Sequence, residues 1–220
     1  MKSNVKELNE EIIQEERGRN PLVYILALFM ILLLILWIIP YYSVRLDPEP
    51  KNIPTKESIL PENITVENRN TTFVTRNEFL SLLNPNDQLI KQTASKVASQ
   101  SCNSEKVCQA KAIFYFVRDN FDYVSDPRTE YIESAREVLA TGGSDCDGMA
   151  VLLANLEEAI GIETRFVFIP GHVYVQIKLD EALKKYKTDN GWINLDPTCD
   201  YCDFGEIPYK NIESKKSYVP

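Results

Sequence analysis

Histidine is nearly absent from this chain: one residue, His172, in 220. Any imidazole chemistry the protein performs therefore passes through a single position. Cysteine is scarce too. There are five, and four fall into close pairs, Cys102 with Cys108 and Cys199 with Cys202. Positive charge is in deficit: the formal net charge is −8, and residues 44–220 carry 20 basic against 27 acidic side chains. With no basic cluster, that balance argues against a nucleic-acid partner. No internal repeat is visible, which removes solenoid architectures. Charge is missing altogether between Leu22 and Ile39.

That last gap is informative. The run LVYILALFMILLLILWII has the length and apolarity of a bilayer-spanning helix. Tyr24 at one end and Trp37, Tyr41 and Tyr42 at the other stand where interfacial aromatics belong. A cleaved signal peptide is the competing reading, but Pro40-Tyr41-Tyr42 offers no small-residue cleavage site. Residues 21–42 are therefore expected to be an uncleaved transmembrane helix. Lys2, Lys6, Arg17 and Arg19 precede it, against Arg45, Lys51 and Lys56 after it, a slight bias toward an inside N-terminus. Paired cysteines suit an oxidising compartment. Asn63-Ile64-Thr65 and Asn70-Thr71-Thr72 match the N-glycosylation acceptor pattern. The expected arrangement is single-pass in the cell membrane, with residues 1–20 as a cytoplasmic tail and the C-terminal domain extracytoplasmic.

Beyond the span, Pro48, Pro50, Pro54 and Pro61 among polar residues predict an extended, poorly packing stalk over 43–74, with a small hairpin at Ile64–Val74. The globular domain is expected over 75–220. Thr75 with Glu78 forms a capping-box pattern, and Asn86-Asp87 opens a helix to about Ser99. Ser104–Phe121 is a further helix, with Val107, Ala110, Ile113, Phe114 and Val117 on one face. Glu130–Leu139 is a short helix closed by Gly142-Gly143, and Cys146–Ile160 is a strongly apolar one ending at Gly161. From there the period changes to two, giving strands at Thr164–Ile169, Val173–Leu179 and Gly191–Asp196. Helices followed by strands predict an α+β domain with an antiparallel sheet packed on the Cys146 helix.

Cys146 is the cysteine left without a near partner. It lies in Gly142-Gly143-Ser144-Asp145-Cys146-Asp147-Gly148, at the N-terminus of the apolar helix. Free N–H groups and the helix dipole there favour a thiolate, while Asp145 and Asp147 oppose it. A cation must outweigh them. Val173, Val175 and Ile177 should face the helices, which puts His172 on the other, more polar face of its strand. Asp196 shares a face with Trp192 and Asn194 in the next strand, and Pro197 keeps it extended. A carboxylate there can bond one imidazole nitrogen and fix its tautomer. Taken alone, each has an ordinary structural reading: a buried thiol, a packed histidine, an Asp-Pro turn.

Together they resemble the transglutaminase-like superfamily. The resemblance is carried by Gly143–Ala150 before the apolar helix, Arg165-Phe166-Val167, His172-Val173-Tyr174-Val175 and Trp192–Thr198, with Phe121-Asp122-Tyr123 similar to the aromatic element upstream of the cysteine. It covers about residues 105–200. It implies a papain-like core with Cys146 as nucleophile, His172 as general base and acid, and Asp196 as the orienting carboxylate. It implies a hydrolase or acyl transferase acting on protein or peptide amides, and no cofactor. No calcium loop is evident, so calcium activation is not implied. The Cys146 N–H is the expected first oxyanion donor, and Gln109 or Tyr123 the second.

The remaining four cysteines allow two local disulfides, a crossed arrangement, or a four-thiolate zinc site. Short spacing and an oxidising side favour Cys102–Cys108 and Cys199–Cys202, and no metal. A thiol–disulfide oxidoreductase built on Cys199-Asp200-Tyr201-Cys202 lacks the βαβ setting that motif needs. A catalytically inactive binding module on the cell surface is the alternative function. Oligomeric state is left open.

Overall fold

The computed structural model describes residues 21–66, 75–125, 131–188 and 190–220. Helix α1, Pro21–Leu46, contains Pro21–Ile39, which is long and apolar enough to cross a membrane. Contacts separate this helix from a second compact unit, Leu46–Pro220. The expected tail and the tip of the expected hairpin lie outside the described residues.

The proline-spaced segment is not a free stalk, at least over residues 47–64. Ile59 and Pro54 are buried, and Ile53, Leu60 and Ile64 pack on the core. A short helix α2, Lys56–Ile59, begins where the Lys56 N–H meets Asn120 Oδ1 at 2.8 Å. Lys51 N–H bonds Ser101 O at 2.9 Å, and Lys96 Nζ reaches Ile59 O at 2.9 Å. The reading went wrong because prolines and charges masked these regularly placed isoleucines, whose burial stabilises a docked chain. Asp47 and Glu49 complete the docking. Both bond the buried ammonium of Lys111, at 2.5 and 2.6 Å, and the Tyr186 hydroxyl donates to Asp47 Oδ2 at 2.8 Å. Burial works against the Lys111 charge, but its bonds to Asp47 and Glu49 prevail and raise its pKa.

Of five further helices, the second, third and fourth pack against the last. Helix α3, Arg76–Ser81, starts at the Thr75–Glu78 capping box, with Thr75 N–H to Glu78 Oε2 at 2.7 Å. Helix α4, Gln88–Ser101, is capped by Asp87, whose Oδ1 accepts from Leu89 and Ile90. Helix α5, Lys106–Asn120, is tied through Cys108 in its first turn to Cys102, the C-cap of α4, by a disulfide. It is buried well beyond the predicted stripe, since Cys108, Ala112 and Phe116 are covered as well. Helix α6, Ala135–Thr141, begins later than expected because Ser134, not a residue near Glu130, is the cap: Glu137 Oε2 accepts from Ser134 N–H at 2.6 Å. Helix α7, Cys146–Ala159, runs through the middle, with every side chain from Met149 to Leu156 buried. A helix apolar on all sides belongs in an interior, and that explains its composition.

Two sheets form. A short parallel pair, β1 (Asp122–Tyr123) and β2 (Gly143–Ser144), had no signature in the sequence. The larger sheet is antiparallel in the order β5-β4-β3-β6, with β3 Glu163–Ile169, β4 His172–Lys178, β5 Trp192–Leu195 and β6 Ser217–Val219. Its inner face (Phe166, Val173, Val175, Ile177, Ile193, Leu195) belongs to the core shared with α7. The predicted helix–sheet layering is observed. The other face is not open to solvent: Tyr174 is fully buried and Gln176 is 2% exposed. Chain beyond Asp196, including a short helix α8 (Tyr209–Ile212) and Ile207, closes over it.

Candidate active site

The tip of α7 is set by close backbone approach. A Cβ on Gly143 would lie 2.6 Å from Asp122 O, so only glycine lets β2 pair with β1 here. A Cβ on Gly148 would meet Ser144 Oγ at 2.0 Å, so the first turn of α7 also requires glycine. Asp145 caps the helix, its Oδ1 accepting from Asp147 N–H at 2.9 Å and Gly148 N–H at 3.4 Å. The cap leaves the Cys146 N–H aside. Cys146 is the free cysteine and is half-buried.

His172 opens β4 after the Pro170-Gly171 turn, where Gly171 adopts φ 71°. Its Nε2 lies 2.8 Å from Asp196 Oδ2. Asp196 is fully buried, and its other oxygen accepts from the Thr198 hydroxyl at 2.8 Å and the Thr198 N–H at 3.2 Å. A buried carboxylate is tolerable because both oxygens are satisfied. The Cys199–Cys202 disulfide follows directly. The tight pairing inferred for the four cysteines is the one observed.

Cys146 and His172 line one cavity of about 430 Å³, together with Tyr123, Arg76 and Phe168. They are not hydrogen-bonded to each other. The thiol donates to Asp147 Oδ1 at 3.4 Å. Its pKa is pushed up to about 12, first by burial and then by the Asp147 carboxylate, with Asp145 adding to the rise. The Val173 N–H, directed at the sulfur, works the other way without prevailing. At rest this is a neutral thiol; the helix terminus expected to favour a thiolate is outweighed by desolvation and two carboxylates.

Of the two candidate oxyanion donors, Tyr123 lines the cavity, whereas Gln109 turns its amide to Asn103 O at 3.4 Å and is not among the lining residues. Burial raises the Tyr123 pKa, with the Cys146, Asp145 and Asp147 charges adding to it, so its hydroxyl remains a donor. Arg76 was not anticipated. It sits over the Phe168 ring at 5.2 Å and donates to Ser217 Oγ at 2.7 Å, a placement set by the β3–β6 pairing that no local pattern signals. Asp145, Cys146 and Asp147 hold ligating atoms within 4.8 Å of one another, but Asp145 Oδ1 is already committed to the helix cap.

Cys146, at the tip of a buried helix, thus shares a cavity with His172, which pairs with Asp196 on the antiparallel sheet. Residues 91–197, just under half of the chain, match the family model of the transglutaminase-like superfamily. Among solved structures, Legionella pneumophila LapG is similar at 16% identity, covering 74% of this chain and 82% of that one with a TM-score of 0.43. Its calcium-bound form matches at 17% identity over 65% and 82%, with a TM-score of 0.43. A candidate cysteine protease of Cytophaga hutchinsonii matches at 16% identity over 56% of this chain and 47% of that one, with a TM-score of 0.37. No curated protein matches by sequence.

Proposed function

We propose that the chain is a membrane-anchored thiol enzyme that cleaves protein or peptide amide bonds through Cys146, His172 and Asp196. The observation that carries this reading is the 2.8 Å His172–Asp196 bond on the rim of the cavity that Cys146 also lines. The Cys146 sulfur bonds to the amide carbon as its proton passes to the imidazole nitrogen that Asp196 leaves free. The Cys146 N–H and the Tyr123 hydroxyl receive the developing oxyanion. The C–N bond then breaks, the amine leaves with the proton from His172, and a thioester remains. Water adds to it, giving its proton to His172; the C–S bond breaks, and the acid and the thiol are released. Hydrolysis is preferred over amine transfer because water needs no second binding site. Helix α1 is the anchor, with the N-terminus inside and the disulfide-bearing domain extracytoplasmic.

The raised thiol pKa favours a second reading, a catalytically silent binding module on the cell surface. Labelling with an iodoacetamide probe separates the two. An enzyme shows slow Cys146 modification that falls further in His172→Ala, whereas labelling indifferent to His172 supports the module. Peptide-library profiling with and without added amines then distinguishes hydrolysis from transfer.

A further inference from the structure

The outer face of the sheet carries a second constellation, remote in register from His172. Arg165, Gln176 and Asn194 are cross-strand neighbours on β3, β4 and β5. Asn194 Oδ1 accepts from Gln176 Nε2 at 2.7 Å, which turns Gln176 Oε1 toward Arg165 Nε, also at 2.7 Å. The guanidinium is then held between two rings, 4.0 Å from the Trp192 centroid and 4.2 Å from that of Tyr218. Orientation is thus fixed by a relay of amides and by stacking on both sides.

Among the described residues, Arg165 makes no ion pair, and Nε supplies its one hydrogen bond, so both terminal nitrogens are unpartnered. They border a cavity of about 690 Å³, walled by Gln176, Asn194, Tyr201, Ile207, Ile212 and Tyr218. The other charges around it compensate elsewhere: Lys216 donates to Ile212 O, and Glu206 accepts from Asp203 N–H. Desolvation lowers the Arg165 pKa, as expected for a partly buried cation awaiting an anion. A planar fork with two free N–H edges fits a carboxylate bidentately, and apolar walls fit the flanking chain of a peptide better than a bare ion. Tyr201 borders both this cavity and the one of about 570 Å³ that holds His172 and Asp196.

We propose that the Arg165 cavity binds the side-chain carboxylate of an acidic peptide. The site stands whether or not Cys146 reacts. Trp37 and Trp192 are the two tryptophans of the chain, so Trp37→Phe leaves a single indole, stacked on the guanidinium, as the reporter. The full chain in detergent micelles is titrated with acetyl-Ala-Glu-Asp-Ala-amide, with acetyl-Ala-Gln-Asn-Ala-amide, and with inorganic phosphate. The acidic peptide should give a saturable change in emission. Its affinity should fall about tenfold or more in Arg165→Gln, and about threefold or more in Arg165→Lys, which keeps the charge but not the fork. Circular dichroism checks folding, and Arg165→Lys decides the matter if Arg165→Gln does not fold. No saturable change, undiminished affinity in the folded variants, or equal affinity for the neutral peptide overturns the proposal. So does phosphate binding as tightly as the acidic peptide.

Discussion

The inner and outer faces of the four-stranded sheet are built from alternating residues of the same strands, yet they are filled on different terms. Inside, Phe166, Val175, Ile193 and Leu195 meet the apolar flank of α7, and their contribution is area removed from water. Outside, His172, Gln176, Asn194 and Arg165 are covered by chain from beyond Asp196, and each is oriented by a named hydrogen bond. The contrast teaches that burial and polarity are independent here. On the outer face Tyr174 and Gln176 are as buried as the inner side chains, whereas His172, Arg165 and Asn194 are partly exposed, presenting directional groups as a binding or reacting surface requires.

The sharpest way to break this contrast is at His172. On the proposed mechanism His172→Ala should lower amide-cleaving kcat/KM by about a thousandfold or more when assayed well below its urea midpoint, which itself falls because buried Asp196 loses the partner of one oxygen. Phe166→Ala, on the inner face, should act through stability. It should cost about 3–5 kcal/mol in urea unfolding, given the full burial of that ring and its edge contact with Phe79 at 5.1 Å. Asp147→Asn tests the resting thiol. Removing this carboxylate removes both a repulsive charge and a hydrogen bond, so the thiol pKa falls and iodoacetamide labelling at pH 8 should rise about tenfold. In the natural protein, the labelling rate should still be climbing at pH 10, since the pKa near 12 lies above it.

Glu157 sharpens the comparison from within the apolar layer. It is fully buried on α7, neither oxygen has a hydrogen bond among the described residues, and burial raises its pKa well above the carboxylate range, with Lys106 only partly offsetting this. A raised folded-state pKa means that the native state is favoured while the group is protonated, and this advantage is lost as pH rises through that pKa. Glu157→Gln should therefore raise the urea midpoint at pH 8 and leave it unchanged at pH 4. The smallest effect is expected at Asn194. Asn194→Ala loses one hydrogen bond to Gln176, about 1 kcal/mol, and should loosen peptide binding at Arg165 without altering labelling of Cys146.

What could be read in the sequence was whatever is encoded locally. Alternation placed β3, β4 and β5 to within a residue or two, Thr75 and Glu78 announced a helix start, and the two short-spaced cysteine pairs announced themselves. The lone Cys, His and Asp were legible as candidates because a helix tip and two strand faces have fixed directions. Long-range pairing left no such mark. Strand β6 has three residues, β1 and β2 have two each, and Arg76 reaches the Cys146 cavity through a tertiary arrangement. The Pro-rich segment misled because composition reports the cost of ordering a chain but not the partners, such as Lys111, that offset it. The outer face was expected to be the more polar one, which it is. Its enclosure depends on where residues after 200 return, and periodicity carries no information about that.

The neutral state of Cys146 has a consequence for the chain's own integrity. A thiolate is a disulfide-exchange reagent, and this domain carries two disulfides that such a reagent would scramble, in its own fold or in a neighbouring molecule's. With a pKa near 12, only on the order of one molecule in 10⁵ is ionised at pH 7. The carboxylates crowding the sulfur thus act as a safety catch, keeping a reactive atom inert toward adventitious electrophiles until something displaces water and brings a proton acceptor to it.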